Sequence, residues 1–172
     1  MMLHIMSNES GSTLTEVEEQ DIQPNAVDLK VAKIFRINKE NFSISNDEKK
    51  HRGSIEITPY YRAVDKNEDG WWYLEPGSYE IVMENIIHVG EDEAGWVITR
   101  STLNRNGVFI TSGLYDSGYH GVMAGAMHVT TGPMWLQKGT RVGQFLLFKS
   151  QALKKYDGDY GIGKAHDQKY GV

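Results

Sequence analysis

At 172 residues the chain has room for one domain with a proper core and too little for two comfortable ones. Its 40% hydrophobic and 24% charged residues, with a mean hydropathy of -0.47, exclude wholesale disorder, and a net charge of -5 argues against a protein that wraps nucleic acid by neutralising its phosphates. The absence of cysteine excludes disulfides, thiolate catalysis and cysteine-ligated metal together.

No apolar run approaches the roughly 18 residues needed to span a bilayer. The opening MMLHIMSNESGS lacks a basic start followed by a hydrophobic stretch. A cytoplasmic protein with no membrane or nucleic-acid partner is expected.

In chain order, residues 1–20 are rich in Ser, Glu and Thr without a sustained period and read as a flexible arm. Strands are expected over Val27–Ile37, Ser54–Tyr61, Ser78–Ile87, Gly95–Arg100, Val122–Val129 and Gln144–Phe148, which are short and rich in β-branched and aromatic residues. Turn signals separate them at Asn67–Gly70, Pro76-Gly77, Asn106-Gly107, Ser117-Gly118, Thr131–Pro133 and Lys138-Gly139. One short helix is expected around Ser101–Asn106, opened by a hydroxyl residue and stopped by Gly107. Residues 21–153 thus read as an all-β barrel or sandwich, and 154–172, mixing Gly, Asp, Lys and Tyr, as a mobile C-terminal arm.

The densest group of reactive side chains runs from Thr99 to Ala126. Arg100, Ser101, Thr102 and Arg105 cluster at the short helix, where guanidinium forks and hydroxyls suit a phosphate group. The same residues also fit a capped surface helix with solvated arginines. Asp116, before the Ser117-Gly118 turn, can hold and polarise a water molecule, or simply cap the turn.

The string RSTLNRNG resembles the RSSLxRxG motif of dCTP deaminases, and GLYDSGYHG resembles the G(I/V)IDxxYxG hairpin of dUTP diphosphatases. IQPNAVDLKVAKIFRI is similar to the deaminases' (I/V)xPxSxDLRLGxxF opening, LEPGSYEIVMENI to LxPGxFxLxxTxE, LQKGTRVGQFLLF to LxxGxRIAQLxxx, and KYDGDYG to the KYxGQxG arm. These matches keep the order of the dUTP diphosphatase and dCTP deaminase superfamily. The resemblance implies a distorted jelly-roll-like β-barrel of the dUTPase-like or β-clip kind, a homotrimer with shared active sites, and Mg²⁺ bound through the phosphates of a deoxynucleoside triphosphate. It assigns Arg100, Ser101, Thr102, Arg105 and Gln144 to the triphosphate, and Asp116 to the 3′-hydroxyl and the attacking water. Gly113, Leu114, Tyr115, Tyr119, Met123, Ala124 and Ala126 fall to the sugar and base, and Lys155 and Tyr156 to a closing arm.

Deaminating cytosine needs a proton shuttle beside the base, supplied in deaminases by a Glu in GxITLE. This chain reads GVMAGA, with Ala126 at that position, and holds no Asp or Glu between Asp116 and Asp157. Losing such a group costs on the order of 10² to 10⁴ in rate, so hydrolysis of dUTP to dUMP and pyrophosphate is expected ahead of dCTP deamination, hydrolysis of dCTP or a modified pyrimidine nucleotide, or a catalytically weak binding role. Gly125 and Ala126 are expected to widen the base pocket. The six histidines show no ligand-pair spacing, and no protein-ligated metal is expected. Trp71-Trp72-Tyr73 reads as packing, with base stacking as the alternative. The run NDEKKHRG reads as a solvated loop.

Overall fold

The computed structural model describes residues 1–48, 51–61 and 70–172. All but Gly70 of the expected turn over Asn67–Gly70, and part of NDEKKHRG, therefore lie outside the described residues.

Among the described residues the chain is mostly β, with one short α-helix and no helix long and apolar enough to cross a membrane. The strands are β1 (Met2–Leu3), β2 (Thr13–Leu14), β3 (Val27–Ile37), β4 (Ser54–Glu56), β5 (Trp71–Leu74), β6 (Gly77–His88), β7 (Glu93–Thr99), β8 (Val108–Thr111), β9 (His120–Val129), β10 (Met134–Gln137) and β11 (Arg141–Lys149). The helix α1 covers Ser101–Arg105, and 3-10 turns lie at Glu19–Asp21 and Ala165–Tyr170.

Strand β3 organises the barrel. Val27 to Lys30 pair with β11, whereas Val31 to Arg36 pair with β6 after a register shift between Val31 and Lys33. An extra residue on one side bends a strand and increases its twist, so this break curls the main sheet, ordered β1-β11-β3-β6-β9-β8. Beyond it, β7 pairs with β11, β2 with β6 and β4 with β3. Val27, Leu29, Val31 and Ile34 are fully buried beside Ile81, Met123, Met127 and Phe145.

The small sheet β5–β10 follows a period of two. Trp72, Leu74 and Leu136 are buried, while Tyr73 and Trp135 face outward in a tilted ring contact. Trp72 also donates its indole N–H to the Ile57 carbonyl at 2.7 Å, so packing accounts for this residue.

The termini lie closer to the barrel than their composition suggests. Met2 and Leu3 pair with β11, Leu3 and Ile5 enter the core, and Thr13 and Leu14 pair with β6. The buried Glu93 carboxylate accepts hydrogen bonds from Ser12 Oγ and, at 2.9 Å, from the Gly11 N–H. Two-residue strands carry no detectable period, and the carboxylate that satisfies this polar segment comes from far along the chain. At the other end Tyr170 packs with Phe35, Val82 and Val122, and Lys33 Nζ donates to its carbonyl at 2.9 Å.

Candidate functional site

A hairpin between β8 and β9 carries the expected carboxylate. Tyr115 exchanges two backbone hydrogen bonds with Gly95, and the Tyr119 N–H donates to the Asp116 carbonyl at 3.0 Å, closing a turn. Gly118 occupies it at φ +82°, a conformation that side chains resist. The Gly118 N–H donates to Val89, and Ser117 Oγ donates to the Gly90 carbonyl at 3.0 Å. These anchors hold the backbone on both sides of an exposed Asp116 carboxylate.

Behind the hairpin opens a cavity of about 800 Å³, ample for a nucleotide. Gly113, Leu114, Tyr115, Tyr119, Ala124, Ala126 and Tyr156 line it. Tyr115 donates its hydroxyl to the Ala124 carbonyl and Tyr119 to that of Val122 at 2.8 Å. Burial raises the pKa of both phenols, reinforced by Tyr119 and Asp167 for Tyr115 and by Asp167 and Tyr156 for Tyr119, so they stay neutral and donate. Tyr156 leans edge-on to Tyr119 at 5.2 Å, and its N–H donates to the Ser117 carbonyl, tying the tail to the hairpin. Lys155 lies over Gly118. Met123, in contrast, is fully buried in the core, and its side chain does not line the cavity.

Gly125 lines the cavity, but a Cβ there would overlap the Thr111 carbonyl oxygen. Its small size thus serves the close approach of the β8 end as well as pocket width. Gly125→Ala is expected to cost about 2 kcal/mol, since overpacking of this kind costs ~1–3. That lowers the thermal midpoint by about 4–8 °C, measurable by calorimetry.

The expected phosphate residues gather elsewhere on the chain, and Asp28 assembles them. This wholly buried carboxylate accepts hydrogen bonds from Gln144 Nε2 at 3.0 Å and Gln23 Nε2 at 3.2 Å, and it forms ion pairs with Arg100 Nε at 3.2 Å and Arg141 at 3.8 Å. Arg100, at the N-cap of α1, also donates to the Arg141 carbonyl. Ser101, Thr102 and Arg105 are exposed on α1. Asp116 forms no ion pair with these arginines among the described residues, and none of them lines the hairpin cavity. Asp28 lies within the opening IQPNAVDLKVAKIFRI segment. A lone acid inside a run of β-branched and aliphatic residues was the available signal.

The far wall of the cavity holds Glu80, His51, His166, Asp167, Lys169 and Tyr170, none of them anticipated. Glu80 stands directly opposite Ala126 in the β6–β9 ladder, so both side chains rise from one face. Glu80 accepts from Lys169 at 2.8 Å, Ser54 at 3.1 Å and the Tyr170 hydroxyl. Burial pushes this carboxyl up, but those hydrogen bonds and the Lys169 charge outweigh it and hold its pKa below the ordinary 4.5. A depressed carboxylate stabilises the fold above its unfolded pKa, and this stabilisation is lost as pH falls through the folded value. The protection factors for amide exchange at residues 165–170, which divide out the intrinsic pH dependence of exchange, are therefore expected to fall selectively below about pH 4.5.

A curled barrel with one short helix, an exposed hairpin carboxylate and a phenol-lined cavity defines the dUTPase-like class of β-barrel proteins. The chain belongs to the dCTP deaminase-like family, whose family model matches residues 4–150. It is 31% identical to the deoxyuridine 5′-triphosphate nucleotidohydrolase of Methanocaldococcus jannaschii over 158 residues, covering 91% of this chain and 97% of that one. Among solved structures it resembles the 2′-deoxycytidine 5′-triphosphate deaminase of Agrobacterium tumefaciens, with a TM-score of 0.58 and 15% identity, covering 83% of this chain and 45% of that one. A Staphylococcus bacteriophage 80alpha dUTPase solved with dUpNHpp matches 87% of this chain and 97% of its own length at a TM-score of 0.50 and 12% identity.

Proposed function

We propose that the protein hydrolyses a deoxynucleoside triphosphate, dUTP first, to the monophosphate and pyrophosphate. The observation that carries this reading is the convergence of Arg100 and Gln144 on buried Asp28, which fixes a cationic, hydrogen-bonding edge of the kind a triphosphate needs. The 31% identity to a dUTP nucleotidohydrolase over most of both chains supports the choice of base.

In this reading Arg100, Ser101, Thr102, Arg105 and Gln144 hold the phosphates. The hairpin main chain around Gly113–Tyr115 and Ala124–Ala126 holds the base, and Tyr119 supports the sugar. Asp116 accepts a proton from water as the water oxygen bonds to phosphorus and the bridge between the first and second phosphates breaks, with pyrophosphate departing. Sites shared within a homotrimer would join the hairpin of one subunit to the cationic edge of its neighbour. Lys155 and Tyr156 then belong to the segment closing the cavity.

Among the described residues no cluster of three or more His, Asp or Glu side chains is arranged to hold a metal ion. This fits Mg²⁺ carried in by phosphate oxygens, its usual manner with nucleotides. When bound, Mg²⁺ neutralises phosphate charge and makes pyrophosphate a better leaving group.

The test is pyrophosphate release from a panel of deoxynucleoside triphosphates with Mg²⁺, alongside light scattering for the trimer. Turnover of dUTP above the other nucleotides is expected, and the absence of turnover with any of them would end the proposal. One observation favours deamination of dCTP as a second reading: Glu80, opposite Ala126, brings a carboxylate to the face where the local sequence has none. Ammonia release from dCTP, abolished in Glu80→Gln, distinguishes it.

A further inference from the structure

The cavity wall formed by the C-terminal segment contains an Asp–His pair, a buried Asp167 and a partly exposed His166, that the hydrolytic reading does not use. The Asp167 side chain is 2% exposed, and one of its oxygens accepts the Gly161 N–H at 2.8 Å. The other lies 3.0 Å from His166 Nδ1. A carboxylate only accepts, so Nδ1 carries the hydrogen in that bond. Nε2 is left without a hydrogen-bond partner among the described residues, on a ring that lines the cavity together with Tyr115, Tyr119 and Ala126.

Other groups hold this ring in place. His51 lies against it at 4.5 Å between centroids, Tyr160 at 4.8 Å and Tyr170 at 5.8 Å. Charged groups near the pair are Asp167 and Lys169 on its own turn, Asp159 in the preceding loop and Glu80 on β6; Tyr119 faces Asp167 from the hairpin. Burial and the neighbouring His166 and Lys169 hold the His51 pKa below 6.5, so His51 adds no charge near neutral pH.

We propose that His166, oriented by Asp167, is a base-reading residue of this cavity whose preference between a ring carbonyl and a ring amino group is set by its own protonation. With Nδ1–H committed to Asp167, neutral His166 offers a lone pair at Nε2 and accepts from an amino group, as on a cytosine ring. Once protonated, Nε2–H donates, and a carbonyl oxygen, as on a uracil ring, becomes the better partner. Asp167 acts as a positioning residue: it fixes the tautomer and the ring plane. The inference rests on the nucleotide reading of the cavity.

The test is calorimetric titration with the α,β-imido analogues of dUTP and dCTP, with Mg²⁺, at about pH 5.5 and about pH 8.5. Taking the ratio of the two affinities cancels the titration of the triphosphate itself. The dUTP-analogue preference is expected to fall about tenfold from the lower to the higher pH, the size of one charge-assisted hydrogen bond exchanged for a neutral one. His166→Gln, which can donate or accept at either pH, is expected to bind both analogues with a pH-independent ratio. Asp167→Asn is expected to shift the pH profile while His166 remains. A pH-independent ratio in the parent, or an unchanged profile in His166→Gln, overturns the inference while leaving the hydrolytic reading intact. Failure of the parent to bind either analogue overturns both.

Discussion

Replacing Asp116 with asparagine is expected to lower kcat for pyrophosphate release from dUTP by about 10² to 10⁴, the usual loss when a positioned general base is removed. Nucleotide affinity should change by only a few-fold, because the arginines and the hairpin main chain are untouched. Folding should be undisturbed, since Asp116 is exposed and the turn around it is held by the Tyr119 and Gly118 N–H groups and the Ser117 hydroxyl. Single-turnover kinetics, analogue binding and thermal unfolding measured together check this. A variant with unchanged kcat would remove the carboxylate from the reaction, and one that unfolds would show that Asp116 supports the turn.

Asp28→Asn is expected to damage both stability and substrate capture. The carboxylate is wholly buried and receives Arg100 and Gln144 from separate elements, so an amide in its place turns a donor toward groups that can themselves only donate at that point. Removing one partner of a buried charge pair costs ~3–5 kcal/mol. With the Arg100 side chain 31% exposed, the lower end applies, about 3 kcal/mol, or about 6–12 °C in thermal midpoint. Freed of its anchor, Arg100 should swing into solvent, and KM for the triphosphate should rise at least about tenfold, since positioning rather than charge alone is lost. Thermal denaturation and steady-state kinetics in the same buffer test the two consequences. A destabilised variant with unchanged KM would confine Asp28 to the fold.

The longest periodic segments were readable from the chain alone. β3 was expected over Val27–Ile37 and occupies those residues, and β6, β9 and α1 differ from expectation only at their ends. The four-residue strands β5, β8 and β10 escaped notice because so few residues cannot establish a period of two. Ser54–Tyr61 shortens to Ser54–Glu56, and its remaining residues run on without regular pairing. The hairpin group was legible because its residues are consecutive: Gly113, Leu114, Tyr115, Tyr119, Ala124 and Ala126 share one cavity. What escaped was assembled across the sheet. Glu80 lies opposite Ala126 only because β6 pairs with β9 in one register, and Asp28 reaches Gln144 only through the β3–β11 ladder. His166 and Asp167 sit in a tail whose composition lacks any core period, yet Tyr170 is buried and anchors it.

The division of β3 between two ladders bears on how the barrel forms. Its first half must find a partner more than a hundred residues away, and its second half one about fifty residues away. Neither half is correctly registered until the bend between Val31 and Lys33 exists, so the last pairing to close should gate the whole transition. Refolding on the millisecond-to-second scale of high-contact-order β proteins follows. Once the molecule is native, the central amides of β3 should open to solvent only when everything else does.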